Sequence, residues 1–390
     1  MTKQLIPAPW KFDPPGNLRI IDVRSARDLA PHAAAWAELL LQSPAASPML
    51  SYPQVSAFFE TQIPASETWL CLFAYEGERL AGVFPLIAVR SFGVLGFSIL
   101  CFKTPYDNLH TSGVDCLTLH GREEIVDVFV DYVSRIPRTW PLIRLRELPE
   151  HSPSMVYVNQ AGSRLSAVRN LSAAENHIRV SADYEKYHAG LSSNFRRQLK
   201  RGSKKLQELE GVVFHCREET RALAGNMRRF EEVEDAGWKG AENTSIKAVD
   251  GNSRFYTIAA ERFRDDGWME WNFLETGEKT IGAHYAVRIK RTLFLLKIGY
   301  DEAYSACSPG NLLLAKVIEH ASRAGDVDEI NCVAECAWHK NWGMQQRLLY
   351  DLVILPKIPV VSRLLSRIFQ SELFKQVRAR WKNKKGLAGE

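Results

Sequence analysis

The sequence predicts a mixed α/β (α+β) fold in which one unit is used twice. Three observations carry that expectation. The order strand, helix, helix, hairpin runs from Arg19 to Val89 and recurs from Val212 to Lys290. The two hairpins share lettering, with Gly77-Glu78-Arg79-Leu80-Ala81-Gly82 matching Gly277-Glu278-Lys279-Thr280-Ile281-Gly282 at a displacement of 200 residues. Finally, 390 residues suffice for two ordinary domains, each with its own core.

Taken in order, the first 18 residues are Pro-rich and read as an arm. Arg19–Val23 reads as a strand. Ala26–Leu41 reads as a helix, because Leu29, Ala33, Trp36, Leu39 and Leu40 fall on one face. Tyr52–Gln62 is a shorter helix. Trp69–Tyr75 and Arg79–Val89 are strands joined at Glu76-Gly77-Glu78. Ser98–Thr118, a helix Glu123–Ile136 and a strand Leu142–Leu148 complete the first copy. The second copy has a strand Val212–Cys216, helices Glu218–Ala236 and Ser253–Asp266, and strands Trp268–Glu275 and Lys279–Lys290. Val83–Phe102 is long and apolar, but Arg90 near its centre would cost about 2.5–3.5 kcal/mol in a bilayer, so two buried strands fit better.

The second copy continues into its most informative stretch, Arg291–Asn331. An apolar strand ends at Gly299-Tyr300-Asp301. A polar loop with Pro-Gly turn chemistry follows, then a helix Leu312–Ala324 closed by Gly325, and a short strand Asp328–Val333. Amides at the start of a helix have no partner inside it and carry partial positive charge. Ser308, Pro309, Gly310, Asn311, Leu312 and Leu313 therefore form a candidate anion site; the plainer account is a crossover whose Pro-Gly only makes the turn. Asp183–Glu210, between the copies, reads as helical. Six basic residues lie between Arg196 and Lys205, and Arg196 and Arg197 are candidate phosphate ligands. The alternative is a core-packed helix with a solvated basic face, since Phe195, Leu199 and Leu206 share its other side.

Bulk properties narrow the class. With 46% hydrophobic and 24% charged residues the chain reads as soluble and globular, and its net charge of +5 is mild. Seven cysteines in no framework spacing suit a reducing cytoplasm, and the start has no apolar signal segment. Cys332, Cys336 and His339 lack an evident fourth zinc ligand, so no metal is expected and buried cysteines are the simpler account.

Four stretches resemble the GNAT acyltransferase superfamily, and more narrowly its CelD-like (cellulose-biosynthesis-associated) acetyltransferases, relatives of the FemAB-type double-GNAT transferases. They are the basic run Asn194–Lys205; Glu234-Asp235-Ala236-Gly237-Trp238-Lys239-Gly240; Gly299-Tyr300-Asp301-Glu302 with Ser308-Pro309-Gly310-Asn311-Leu312-Leu313; and Trp338-His339-Lys340-Asn341-Trp342. The resemblance covers residues 30–355 in order of elements. It implies two tandem GNAT-like domains, 1–175 and 176–355, with mixed, mostly antiparallel sheets flanked by helices, followed by a basic tail 356–390. It also implies a strand splayed from its neighbour, along whose edge acyl-CoA lays its pantetheine, with the pyrophosphate on the next helix. The chain departs from the usual Gln/Arg-x-x-Gly-x-Gly/Ala loop, keeping only Gly310.

The activity so implied is acyl transfer from acyl-CoA (acetyl-CoA) to an amino group, without an enzyme nucleophile or a metal. Asp301 is then the first candidate base, with Glu275 and Glu234 behind it; Tyr300 or Tyr304 would protonate the leaving thiolate. Trp238, Lys239, Glu234, His284 and Lys340 are candidates for the acceptor pocket. The plainer accounts are a loop cap for Asp301, a helix end for Trp238-Lys239, and packing for His284. The resemblance points to a polysaccharide or cell-envelope precursor as acceptor. Rival readings are an aminoacyl-tRNA-dependent transferase, the one setting in which nucleic acid is expected as a partner, and a non-catalytic accessory of polysaccharide synthesis. In the tail, apolar Val360 to Trp381 interleave with basic Lys357 to Lys385. Such a helix either docks on the protein or contacts an anionic membrane from the cytoplasmic side.

Overall fold

The computed structural model describes residues 6, 12–92, 98–106, 113–136, 139–160, 165–218, 222–277 and 279–355. The expected N-terminal arm up to residue 11 apart from Ile6, positions Asp107, Asn108 and Glu278, and the basic tail 356–390 lie outside the described residues. Two compact units divide the described residues: those up to Ala173 together with 348–355, and Ala174–Arg347.

In the first unit β1 (Leu18–Val23) leads to α1 (Ala26–Leu29), α2 (Ala33–Gln42) and α3 (Tyr52–Thr61). The single helix expected over Ala26–Leu41 is broken at Ala30–His32 by a 3-10 turn around Pro31, which has no N–H to continue an α-helix. Strands β2 (Thr68–Glu76), β3 (Arg79–Phe92), β4 (Ser98–Lys103) and β5 (Leu117–Thr118) follow, then α4 (Ile125–Ser134), β6 (Thr139–Pro149) and α5 (Pro153–Asn159). The sheet runs β1-β2-β3-β4-β6, with β4 and β6 parallel and the other pairs antiparallel. Trp36 anchors the core, its Nε1 donating to Leu50 O at 2.8 Å and its ring standing edge-on to Phe73.

The second unit takes up the last residues of β7 (Ser166–Arg179), then α6 (Tyr184–Gly190), α7 (Ser193–Gln207), β8 (Val213–Glu218), α8 (Leu223–Asp235), α9 (Trp238–Ala241) and α10 (Asn252–Asp265). A meander follows of β9 (Met269–Thr276), β10 (Lys279–Ile289) and β11 (Thr292–Tyr300), then α11 (Pro309–Ala324), β12 (Glu329–Asn331) and the start of β13 (Gln345–Leu355). Its sheet order is β7-β12-β11-β10-β9-β8, parallel only between β11 and β12. Each unit thus has a three-strand meander whose last strand pairs in parallel with the strand after the next helix. The helix expected over Asp183–Glu210 is two helices, with a break at Leu191-Ser192, and Ser192 caps the second by accepting the Phe195 N–H at 3.2 Å. Helix α11 begins at Pro309, earlier than Leu312, because proline suits the first helical position. Strands β7 and β13 and helix α5 had no counterpart in the sequence reading. Among the described residues no helix is long and apolar enough to cross a membrane.

One face of the second sheet carries α7 and α11, where Phe195, Leu199 and Leu206 bury with Leu313 and Val317. The other carries α8 and α10 over an aromatic group of Phe230, Tyr256, Trp271 and Tyr285. Helix α7 approaches the turn Glu302–Cys307 through Gly202, where a Cβ would lie 2.6 Å from Cys307 O. Gly202→Val should therefore lower stability by about 1–3 kcal/mol. Gly225→Ala, in α8 with only Ala222 Cβ at 4.0 Å, should be neutral or stabilising. Thermal melts of the two variants check both outcomes.

Candidate active site

Strand β11 pairs with β12 only over Thr292–Phe294 and then runs on to Tyr300 with no strand among the described residues on that side. Asp301 N–H donates to Ile281 O on β10, so by alternation the backbone groups of Ile298 and Tyr300 face away from β10. Ile298 O on this open edge accepts from Lys239 Nζ at 2.9 Å. The same ammonium lies 2.8 Å from Glu234 Oε1, and Lys297 Nζ lies 3.2 Å from that oxygen. Glu234 Oε2 accepts the Ile246 N–H at 2.8 Å. Burial alone would raise the Glu234 carboxyl; Lys239, Lys297 and these hydrogen bonds together hold it below its usual value. Lys239 is thus turned inward, while Trp238 beside it remains 41% exposed.

At the end of β11 the candidates separate. Asp301 caps the turn Glu302–Cys307, with Oδ1 accepting the Ala303 N–H at 2.9 Å and Oδ2 2.7 Å from Lys279 Nζ. Lys279 also stands 5.3 Å from the Tyr304 ring centre. Burial, then Glu302, raises the Tyr300 hydroxyl, which stays protonated at neutral pH. Glu275 is engaged by Arg229 at 2.5 Å and His215 Nε2 at 3.0 Å. Burial works to raise its carboxyl and these partners outweigh it. His284 is buried, and burial pulls its imidazole down to about 3, so it is neutral. Lys340 is exposed on the 3-10 turn Ala337–Trp342.

Ser308 takes a left-handed conformation before α11 and makes no side-chain cap. The Gly310 and Asn311 amides head the helix, where the first turn has no internal acceptors. The side of Gly310 that lacks a Cβ faces protein: a Cβ there would lie 3.3 Å from Tyr300 Cδ1. Glycine at this position therefore lets the Tyr300 ring pack on the helix start. Asn311 Oδ1 accepts from Trp342 Nε1 at 3.3 Å, and Trp342 stands edge-on to Phe195.

A cavity of about 560 Å³ lies between α6, α7 and α11. Arg196, Arg197 and Lys200 form its basic wall, and Leu312 and Ala315 lie across from them. Of the expected anion-binding residues the structure thus brings Arg196, Arg197 and Leu312 together. Lys200 belongs to the basic run already read as anion-facing, whereas Lys297 escaped the sequence reading. Ser193, Arg196, Lys200 and Ser203, at i, i+3, i+7, i+10, form one helical stripe; Lys297, inside an apolar strand, gave no such signal. His339 Nδ1 accepts the Cys336 N–H at 3.2 Å and faces Asn176 Nδ2 at 3.1 Å. All seven cysteines are free thiols, and Cys336 is exposed rather than buried. Among the described residues no group of three or more His, Cys, Asp or Glu side chains could hold a metal.

A mixed sheet whose splayed strand runs into a helix is a GNAT-like arrangement; the second unit builds it, while β4 of the first stays paired with β6 to its end. The family description that matches the sequence is an acetyltransferase (GNAT) domain, over residues 193–338. No curated protein matches the chain. Among solved structures it is similar to FemX, with TM-score 0.57 and 8% identity over 88% of this chain and 98% of that one. It is also similar to a conserved protein of unknown function from Bacteroides thetaiotaomicron VPI-5482, with TM-score 0.52 and 11% identity over 87% and 99%. At these identities the likeness concerns the fold.

Glu234→Ala should cost about 3–5 kcal/mol, since it leaves the buried Lys297 and the half-buried Lys239 ammonium groups without their carboxylate. The pH dependence has a defined sign. A depressed carboxyl stabilises the fold above its usual 4.5 and loses that effect as pH falls through its lower folded value. Denaturant midpoints taken from pH 7 down to 3 should fall for the native chain and change less for Glu234→Gln.

Proposed function

We propose that the chain is an N-acyltransferase moving an acyl group from acyl-CoA to an amino group of a polysaccharide or cell-envelope precursor. The observation that carries the reading is the parting of β11 from β12 after Phe294, inside the stretch that matches the acetyltransferase domain. The free edge offers an extended donor a backbone to lie along, and Tyr300 stands where that edge ends. In the reaction the amine nitrogen attacks the thioester carbonyl. A C–N bond forms, the C–S bond breaks, the ammonium proton passes to a base, and the thiolate takes a proton.

Tyr300 is the proton donor in this reading, because burial and Glu302 keep its hydroxyl protonated. Asp301 serves as base only after Lys279, whose side chain is 58% exposed, swings off its carboxylate. The amide-headed start of α11 and the Glu234–Lys239 pair hold donor and edge in register. A cytoplasmic site with the basic tail 356–390 on an anionic membrane surface suits an envelope acceptor.

A second reading, transfer from an aminoacyl-tRNA, is favoured by α7, whose Ser193–Gln207 sequence has six basic residues and no acidic one. Thiol release from acetyl-CoA with amine acceptors, run beside transfer from charged tRNA, separates the two. Thiol release with an N-acylated product is expected; transfer from tRNA alone would replace the first reading with the second. Tyr300→Phe should lower kcat by roughly 10²–10⁴ with CoA affinity kept, measured by steady-state rates and calorimetry.

A further inference from the structure

Acyl transfer to a charged amine asks for a carboxylate that is free to take a proton. Most acids around the end of β11 are already spent. Asp301 holds the Ala303 N–H and the Lys279 ammonium. Glu234 is closed in by Lys239, Lys297 and the Ile246 N–H. Glu275 is bound by Arg229, His215 and Thr280. Asp235 accepts from Ser245 Oγ at 2.6 Å, and Glu335 accepts from Gln346 Nε2 at 2.9 Å. Each of these would have to give up a partner before acting as a base.

Glu302 differs from all of them. Its side chain is exposed and, among the described residues, has neither an ion-pair nor a hydrogen-bond partner. Its place is fixed by the backbone and not by the carboxylate. Tyr300 closes β11, Asp301 caps the turn that follows, and Glu302 is the first residue of that turn. The Glu302 N–H reaches Ala236 O at 3.4 Å, which ties it to the link between α8 and α9. Trp238, two residues further along that link, is 41% exposed. After burial, Glu302 is the charge that raises the Tyr300 hydroxyl. An ammonium brought beside that hydroxyl meets the same charge as an attraction. Lys279, at this end of the sheet, is taken by Asp301 and the Tyr304 ring and does not neutralise Glu302.

We propose that Glu302 is the base of this site, and that the acceptor arrives as an alkylammonium. The proposal rests on the acyltransferase reading above and names the substrate class of that same site. Glu302 draws the ammonium to the end of β11, takes one proton directly or through one water, and releases it to solvent. The uncharged nitrogen then attacks the thioester carbonyl carbon. As the C–N bond forms and the C–S bond breaks, the Tyr300 O–H gives its proton to the sulfur and regains one from the nitrogen. The products are an amide, a free thiol and one proton, so atoms and charge balance. Asp301 takes this part only when Lys279 has left; Glu302 needs no such change.

The test compares two acceptors on the full chain, with acetyl-CoA as donor and thiol release as the readout. Butylamine is ionised at neutral pH, as lysine is, and must lose a proton first. Hydroxylamine is uncharged there and needs no base. Glu302→Gln, an isosteric change at an exposed position, should lower butylamine turnover about 10²-fold at pH 7 and hydroxylamine turnover far less. The butylamine deficit should shrink as pH rises toward the amine's own pKa, about 10. Acetyl-CoA affinity by calorimetry should not move, and Glu302→Asp should restore part of the rate. Equal loss with both amines, or a deficit that pH does not relieve, overturns the base. A pH-relieved loss in Asp301→Asn with none in Glu302→Gln also overturns it and moves the role to Asp301. Native turnover of hydroxylamine with none of butylamine at any pH overturns the alkylammonium acceptor. No thiol release by the native chain with either amine overturns the acyltransferase reading itself, and the proposal with it.

Discussion

A carboxylate buried without water is tolerable only if the protein replaces its hydration, and Glu234 shows what that requires. Two ammonium groups and a backbone amide surround it, drawn from α8, the Trp238–Ala241 turn, Ile246 and β11. Removing any one partner leaves an unanswered charge in a low dielectric, so the four segments are held in one arrangement. Because Lys239 also binds Ile298 O, the arrangement fixes the free edge of β11. At the opposite end of the same sheet, Arg217 and Arg288 share Glu270 and Asp326 and tie β8, β9 and β10 to the residues after α11. Charge pins the sheet at both ends, and the apolar core fills the span between.

The pinning explains how β11 can stand away from β12 without fraying. An edge strand normally needs a neighbour to satisfy its outward backbone groups. Here a side-chain ammonium takes one carbonyl, and the turn after β11 is closed by Asp301 and by Glu302 N–H reaching Ala236 O at 3.4 Å. The cost is that Lys239 and Asp301, both attractive as chemistry on paper, are already committed to holding the edge.

Much of this was legible beforehand. The hairpin repeat, the strand–turn–helix around Tyr300 and Pro309, and the basic face of α7 follow from local spacing, and local spacing survives folding. What escaped depends on distant parts of the chain. Strand β13 reads as a polar start and an apolar run, and its strand character comes from pairing Leu349–Ile354 with Ile143–Pro149 about 200 residues earlier. Glu234 was legible as a notable acid but not as the centre of an ion cluster, because Lys297 lies 63 positions away on a strand otherwise apolar. Pro31 and the Leu191-Ser192 break show the reverse error, where helical periodicity continued past a residue that interrupts the hydrogen-bond ladder.

Gly202 gives α7 a mechanical relation to the rest of the unit. The helix rests directly on the Cys307 carbonyl, Ser308 and Pro309 follow in the chain, and Gly310 lies under the Tyr300 ring. Only the backbone of residues 307–310 separates these two contacts. A displacement of α7 is therefore passed to the ring at the end of β11 as through a rigid rod. Two ligands meeting at opposite ends of that rod must influence each other reciprocally, by the same factor in either order of addition.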